Sequence, residues 1–196
     1  MTANIPNALT VARIFAVPLL IAVFYLPAPA AHWAAMAVFA VASITDWVDG
    51  YLARRWQQQS DFGKVLDPIA DKLLVAAALF MLAAFDRLSI ASIVASIAIL
   101  GREILVSGLR EFLAGRASLP VTQLAKWKTA VQMIAISVLL VAPALPMSLR
   151  AQLAGEIALW IATAMTLITG WDYLRRGLEF MRGPAAGAKP GAGPAT

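Results

Sequence analysis

The sequence predicts an all-α, polytopic membrane protein with six transmembrane helices. Three observations carry that prediction. Hydrophobic residues make up 61% of the 196 positions and charged residues 14%, with a mean hydropathy of +0.76. Soluble domains are typically about 45–50% apolar and about 25% charged. The apolar residues also fall into six stretches, each near the roughly 20 residues that a membrane helix needs. Finally, the basic residues collect on one side of the resulting topology. A water-soluble enzyme and a disordered chain are both excluded. The chain has no cysteine, hence no disulfide, thiolate metal site or cysteine nucleophile. The single histidine, His32, argues against a His-rich metal site or a serine-hydrolase triad. The net charge of +5 reads as basic cytoplasmic loops, and no nucleic-acid partner is expected.

The six stretches run over 7–27, 33–54, 64–85, 88–113, 126–143 and 151–175. Pro27 and Pro29 break the chain after the first. The first stretch lacks a basic leader, and Arg13 sits within it, so it is expected to be a retained helix and not a cleaved signal. Arg54 to Asp61 is a polar link after the second, and Asp86 with Arg87 separates the third from the fourth. Gly115 to Thr122 is polar and holds Pro120, and Pro143 and Pro146 end the fifth. Gly101, Gly108 and Gly115, spaced by seven, are expected to let helices approach closely. Residues 1–182 thus form one helical domain. Residues 183–196 are Gly, Ala and Pro with little else, and a disordered tail is expected there.

Lys and Arg set the orientation. Fourteen of the sixteen lie on the side of the N-terminus, the 2–3 link, the 4–5 link and the C-terminus; only Arg87 and Arg150 lie on the other. Both termini are therefore expected in the cytoplasm. Tyr25, Trp33 and Trp56 fall near helix ends, as interfacial anchors do, and His32 is expected at the outer interface.

The chemistry is concentrated in one segment. It reads Asp46-Trp-Val-Asp49-Gly50-Tyr-Leu-Ala53-Arg54, then eight residues, then Gly63-Lys-Val-Leu-Asp67-Pro-Ile-Ala-Asp71. Ionisable residues in spans cost about 2.5–3.5 kcal/mol each on insertion scales, which makes them functional candidates. Helical spacing puts Asp46, Asp49, Gly50 and Ala53 on one face. Gly63, Asp67 and Asp71 step by four along the next helix. A short link makes the two helices antiparallel neighbours, so both stripes can face one cytoplasmic cleft. Four clustered carboxylates cannot all stay ionised without cations. Oxygen ligands without His or Cys favour two divalent cations, Mg²⁺ or Mn²⁺. Gly50 and Ala53 leave room for a ligand, and Arg54 offers a guanidinium fork to a phosphate. The competing reading is a set of interfacial charges paired with Arg54, Arg55, Lys64 and Lys72.

These residues fill every position of the pattern D-x2-D-G-x2-A-R-x8-G-x3-D-x3-D. The chain therefore resembles the CDP-alcohol phosphatidyltransferase family. The stretch from Asn4 to Arg13, and the Asp67-to-Lys72, Arg102-Glu103, Leu109-to-Glu111 and Lys126-to-Met133 segments, resemble the bacterial members that make phosphatidylglycerophosphate. The resemblance implies the CDP-alcohol phosphotransferase fold, a homodimer in the bacterial inner membrane, and a metal-dependent reaction. In that reaction CDP-diacylglycerol and sn-glycerol 3-phosphate are the substrates and CMP is released. By motif position, Asp46 and Asp67 would bridge both metals, Asp49 would complete one site and Asp71 the other. Asp71 would also be the catalytic base. Gly50, Ala53, Arg54, Ser60 and Gly63 would meet the CDP-diacylglycerol head, with Ile5, Pro6, Asn7 and Ala8 against the nucleotide. The last four also read as a plain helix start, with an Asn N-cap and Pro6 in the first turn.

The acceptor site is expected among cations outside the motif. Arg102 and Arg110 lie about 80° apart around one helix, and Lys126 and Lys128 begin the next. Together they could hold the acceptor phosphate, with Glu103 and Glu111 steadying the arginines. The alternative is snorkelling toward anionic lipid. Other acceptors of the same chemistry are phosphatidylglycerol, inositol phosphate or serine. From a different class, a cation transporter could use the Asp cluster, although the motif flanks a cytoplasmic link and not the membrane centre.

Overall fold

The computed structural model describes residues 5–56, 61–113 and 123–182, with side chains for all of these except 5–9, 47–56, 61–65 and 180–182. Among the described residues the regular structure is helical, with no strand. The α-helices are α1 (Ile5–Val23), α2 (Ala30–Trp56), α3 (Asp61–Ala84), α4 (Ile90–Phe112), α5 (Gln123–Val141) and α6 (Ala151–Arg182). Each predicted stretch corresponds to one helix. The largest departure is α6, which runs seven residues beyond the predicted 175 because its charged end, Arg175 to Arg182, keeps helical geometry outside the apolar window. The 183–196 tail lies outside the described residues.

Local chemistry fixes the helix ends. After α1 the backbone tightens, with Phe24, Tyr25 and Leu26 N–H groups bonding three residues back, and Pro27 follows. Ser89 caps α4, its hydroxyl accepting from the Ser92 N–H at 3.2 Å. Pro143 lies in a 3-10 turn, Ala142–Ala144, that closes α5. Arg150, at φ 44°, turns the chain into α6. By length and composition, three helical segments can cross a bilayer: Ile90–Phe112, Gln123–Ala144 and Met147–Glu179. Thr10–Val23 and Ala30–Asp46 are shorter apolar runs.

Helix α1 packs on both α2 and α3, α5 runs along α6, and α4 lies on α6. Leu20, Phe39, Leu74, Leu79, Ile99, Ile136, Leu139 and Leu159 form the continuous core where these helices meet. The end of the bundle away from the Asp segment is tied by a polar knot. The Glu156 carboxylate accepts from the Ser89 hydroxyl (2.6 Å), the Ser92 hydroxyl (2.8 Å), the Gln152 amide (3.1 Å) and the Ser89 N–H (3.3 Å). Beside it the Arg87 guanidinium lies 4.9 Å from the Phe24 ring centre. His32 lies within the field of Arg87, at this same end. Tyr25 and Trp33 are exposed, while the Trp56 side chain lies outside the described set.

The glycine expectation needs correction. A Cβ on Gly101 or Gly108 would meet nothing within 4 Å, so neither marks a close helix approach within this chain, and Gly115 lies outside the described residues. The seven-residue spacing keeps Gly101 and Gly108 on one face of α4, and that face turns outward. The close approaches fall instead on α6. A Cβ on Gly155 would sit 2.8 Å from the Leu139 side chain, on Gly170 2.7 Å from Arg102, and on Gly177 2.7 Å from Leu109.

Leu139 is fully buried and has little room to yield. Overpacking costs about 1–3 kcal/mol, against about 1 kcal/mol of helix propensity gained by replacing Gly with Ala. Gly155→Ala is therefore expected to lower the unfolding temperature of the detergent-solubilised protein. Gly101→Ala should leave it unchanged or slightly higher. The same thermal melt on both variants checks the assignment.

Candidate active site

Helix α1 organises the Asp segment. Thr10 and Arg13, three residues apart, share one face of α1, and each reaches a different neighbouring helix. The Thr10 hydroxyl donates to Asp67 Oδ1 on α3. The Arg13 guanidinium pairs with Asp46 on α2 at 2.5 Å. Thr10 and Arg13 are each 2% exposed, so the donor side of both contacts is buried while the carboxylates stay partly open. The two carboxylates are thereby drawn to one short stretch of α1. Asp71, one turn further along α3, lies in the electrostatic field of Asp46, Arg13, Lys72 and Glu103. Asp46 and Asp67 thus both meet α1, and Asp46 acts on Asp71 through its field.

The remaining expected residues are placed only in part. Asp49, Gly50 and Ala53, with Arg54, lie on the α2 backbone, Gly63 lies on α3, and Ile5, Pro6, Asn7 and Ala8 lie in the first turns of α1. Their side chains are outside the described set, as is all of Ser60. Among the described residues no three carboxylate or histidine side chains close around one point. The described donors are nevertheless of one chemical kind, carboxylate oxygen, which suits a hard divalent cation. Asp46 keeps more than a third of its side chain exposed, and Asp67 is also exposed, so both retain open coordination sides.

Thr10 and Arg13 were not anticipated as site residues. A signal was present, since an arginine buried within an apolar run needs a partner. That arginine was absorbed into the count of cytoplasmic cations.

A second polar region adjoins the first. A small cavity of about 20 Å³ is lined by Asp71, Lys72, Glu103, Lys128 and Gln132, among others. A larger one of about 170 Å³ is lined by Lys72, Arg102, Glu103, Arg110, Lys128 and Tyr173, among others. The two share Lys72, Glu103, Lys128 and Thr129, so the cationic cavity lies wall to wall with Asp71. Glu103 explains how these cations coexist. Its carboxylate pairs with Lys128, which is 4% exposed, and with Arg102 at 3.2 Å. A buried cation without such a partner would be strongly unfavourable.

Two expectations about this region change. Lys126 is exposed and is not part of the cavity wall, whereas Lys128 is. Residues two apart on a helix point about 200° from each other, so these two lysines cannot serve the same side of α5. Lys72 takes the place expected of Lys126. Glu111 is exposed, and no carboxylate among the described residues pairs with Arg110. The Arg110 guanidinium rests instead 5.8 Å from the centre of the Tyr173 ring on α6. Tyr173 had no motif to mark it, and only the fold brings it here.

Between α1 and α2 an apolar groove of about 370 Å³ ends at Arg13 and Thr45, beside the carboxylates. The site is thus open to apolar surroundings on one side and cationic on another.

Comparison with known proteins agrees with this layout. The family model for CDP-alcohol phosphatidyltransferase matches residues 3–168. A Rickettsia bellii protein named CDP-diacylglycerol–glycerol-3-phosphate 3-phosphatidyltransferase is 47% identical over 88% of this chain and 94% of its own length. Proteins of the same name from Cereibacter sphaeroides (41% identical, 93% of this chain, 99% of theirs) and Bacillus subtilis (40%, 91% and 97%) are similar to it as well. The Asp motif, the helical layout and a family match over most of the chain lead to one conclusion: this chain belongs to the CDP-alcohol phosphatidyltransferase family.

Proposed function

We propose that this integral membrane protein transfers the phosphatidyl group of CDP-diacylglycerol to sn-glycerol 3-phosphate, giving phosphatidylglycerophosphate and CMP. The similar proteins above carry that activity in their names. Within the structure, one observation supports it most directly: Asp71 stands beside a cavity whose wall holds Lys72, Arg102, Arg110 and Lys128. A phosphorylated alcohol needs both features, cations for its phosphate and a base for its hydroxyl. Release of CMP from CDP-diacylglycerol that depends on added glycerol 3-phosphate tests the reading.

The lysine and arginine distribution supports both termini and the site on the cytoplasmic side, and the bacterial relatives support an inner-membrane location. The carboxylate donor set supports two divalent cations, Mg²⁺ or Mn²⁺. Asp46 and Asp67 would be the shared ligands, with Asp49 and Asp71 each completing one position. Bound there, the ions supply charge neutralisation for the diphosphate and for the departing CMP phosphate.

The chain's own residues supply the rest. Thr10 and Arg13 hold Asp67 and Asp46 in fixed orientations, which limits reorganisation during reaction. Gly50, Ala53, Arg54, Ser60 and Gly63, with Ile5 to Ala8, would take the CDP-diacylglycerol head, on the strength of the motif. Arg102, Arg110, Lys128 and Lys72 hold the acceptor phosphate. Asp71 accepts the proton of the acceptor hydroxyl. That oxygen bonds to the lipid-side phosphorus. The bond from this phosphorus to the bridging oxygen breaks, and its electron pair leaves with CMP. Attack at phosphorus depends mainly on positioning and charge, which is what this arrangement provides.

Three outcomes follow. Asp71→Asn should reduce the maximal rate by about 10²–10⁴-fold while CDP-diacylglycerol still binds. Rapid-mix turnover and lipid-nucleotide binding, measured on one preparation, separate the two effects. Thr10→Val removes the hydroxyl behind Asp67 at similar volume. It should raise the Mg²⁺ concentration for half-maximal CMP release by about 10–100-fold, and Thr10→Ser should restore most of it. Arg110→Ala removes a charged hydrogen bond worth about 1.5–3 kcal/mol, so KM for glycerol 3-phosphate should rise about ten- to a hundredfold. The CDP-diacylglycerol KM should stay near its original value, and Arg110→Lys should recover part of the loss.

A further inference from the structure

We infer that Tyr173, an uncharged residue of α6 outside the Asp motif, is a positioning residue that sets the affinity for the phosphorylated acceptor by fixing Arg102 and Arg110. The inference rests on the acceptor reading above. Both guanidinium carbons lie 5.8 Å from the centre of the Tyr173 ring, inside the range of a cation–π contact. The ring is 6% exposed and therefore held by packing, and it forms part of the cavity wall. It is a rigid surface shared by two flexible cations.

The cations need such a surface. They repel each other across the cavity. Among the described residues Arg102 has one carboxylate partner, Glu103, and shares it with Lys128. Arg110 is exposed and, among the described residues, rests on the ring without a carboxylate partner. Without the ring, Arg110 is free to swing into water or toward lipid headgroups. Order in an arginine pair matters because the guanidinium recognises phosphate through planar, directional hydrogen bonds.

The neighbouring residues of α6 are shaped to the same end. The Thr169 hydroxyl accepts from Arg102 Nη2 at 2.8 Å, while donating to the Met165 carbonyl at 2.8 Å, so its orientation is set. A Cβ at Gly170 would sit 2.7 Å from Arg102 Cγ and 3.0 Å from Nε, which shows that the arginine stem crosses the helix where a side chain is missing. Thr169, Gly170 and Tyr173 form one surface that carries no charge of its own yet dictates where two charges stand.

The test is steady-state kinetics of the full chain in mixed micelles, varying each substrate separately. Tyr173→Leu should raise KM for glycerol 3-phosphate about three- to thirtyfold, the range of a partly desolvated cation–π contact. The maximal rate and the CDP-diacylglycerol KM should change little. Tyr173→Phe, which keeps the ring, should return the acceptor KM close to wild type. Gly170→Ala, which displaces Arg102 without touching the ring, should raise the same constant and no other. An unshifted acceptor KM in Tyr173→Leu overturns the positioning role. So does a parallel loss in all three constants, which signals a general packing defect, or a Phe variant as impaired as Leu. A wild-type chain that releases no CMP in response to glycerol 3-phosphate overturns the functional reading itself, and this inference with it.

Discussion

Everything at the site depends on like charges being brought together in a medium that penalises each of them. Asp46 and Asp67 stand on different helices, and nothing in their own chemistry draws them close. Helix α1 supplies the attraction, with Arg13 bound to Asp46 and Thr10 to Asp67. Both donors are buried, so each contact is shielded from water on its α1 side. They hold α1 against α2 and α3 at the point where the carboxylates would otherwise force the helices apart. The core below, around Leu20, Phe39 and Leu74, extends the same three-helix contact in apolar terms.

The same logic recurs with the signs reversed on the other side of Asp71. There the residues that resist assembly are cations, and Glu103 is the compensating charge between Arg102 and Lys128. In each half a single oppositely charged residue, Arg13 on α1 or Glu103 on α4, makes the cluster tolerable without cancelling it. The surplus charge left in each half is what a substrate or an ion can use. The far end of the bundle shows the contrast. Around Glu156 four hydrogen bonds from neutral groups occupy one carboxylate, a lone charge and not a cluster.

The helices and the carboxylate motif are legible in the sequence for separate reasons. Apolar run length reports helix positions directly, and each of the six predicted stretches matches an α-helix among the described residues. The Asp spacing reports a helix face, so the alignment of Asp67 and Asp71 along α3 followed from periodicity. Contacts between helices left weaker traces. Thr10 looks like any hydroxyl in an apolar run, and its role exists only because Asp67 stands opposite. Tyr173 lies far along the chain from the motif, and no local pattern links it to Arg102. The glycine spacing misled because periodicity shows that residues share a face, not what that face meets. Lys126 was grouped with Lys128 by proximity in sequence, where helical geometry separates them.

The division of the site into an acidic and a basic half has an orienting consequence. The Asp71 carboxylate on α3 adjoins a cluster of guanidinium and ammonium groups on α3, α4 and α5 across a small shared cavity wall. The pair of poles makes a fixed local field, strongest where water is scarce. Glycerol 3-phosphate is itself a lopsided molecule, anionic at one end and hydroxylated at the other. Of its two possible entries, one sets phosphate against carboxylate and is repelled. The other would seat phosphate among the cations and leave the hydroxyl toward Asp71. On the proposed acceptor reading, the field would thus favour the reactive alignment before any bond forms, and an uncharged alcohol of the same size would enter without that guidance.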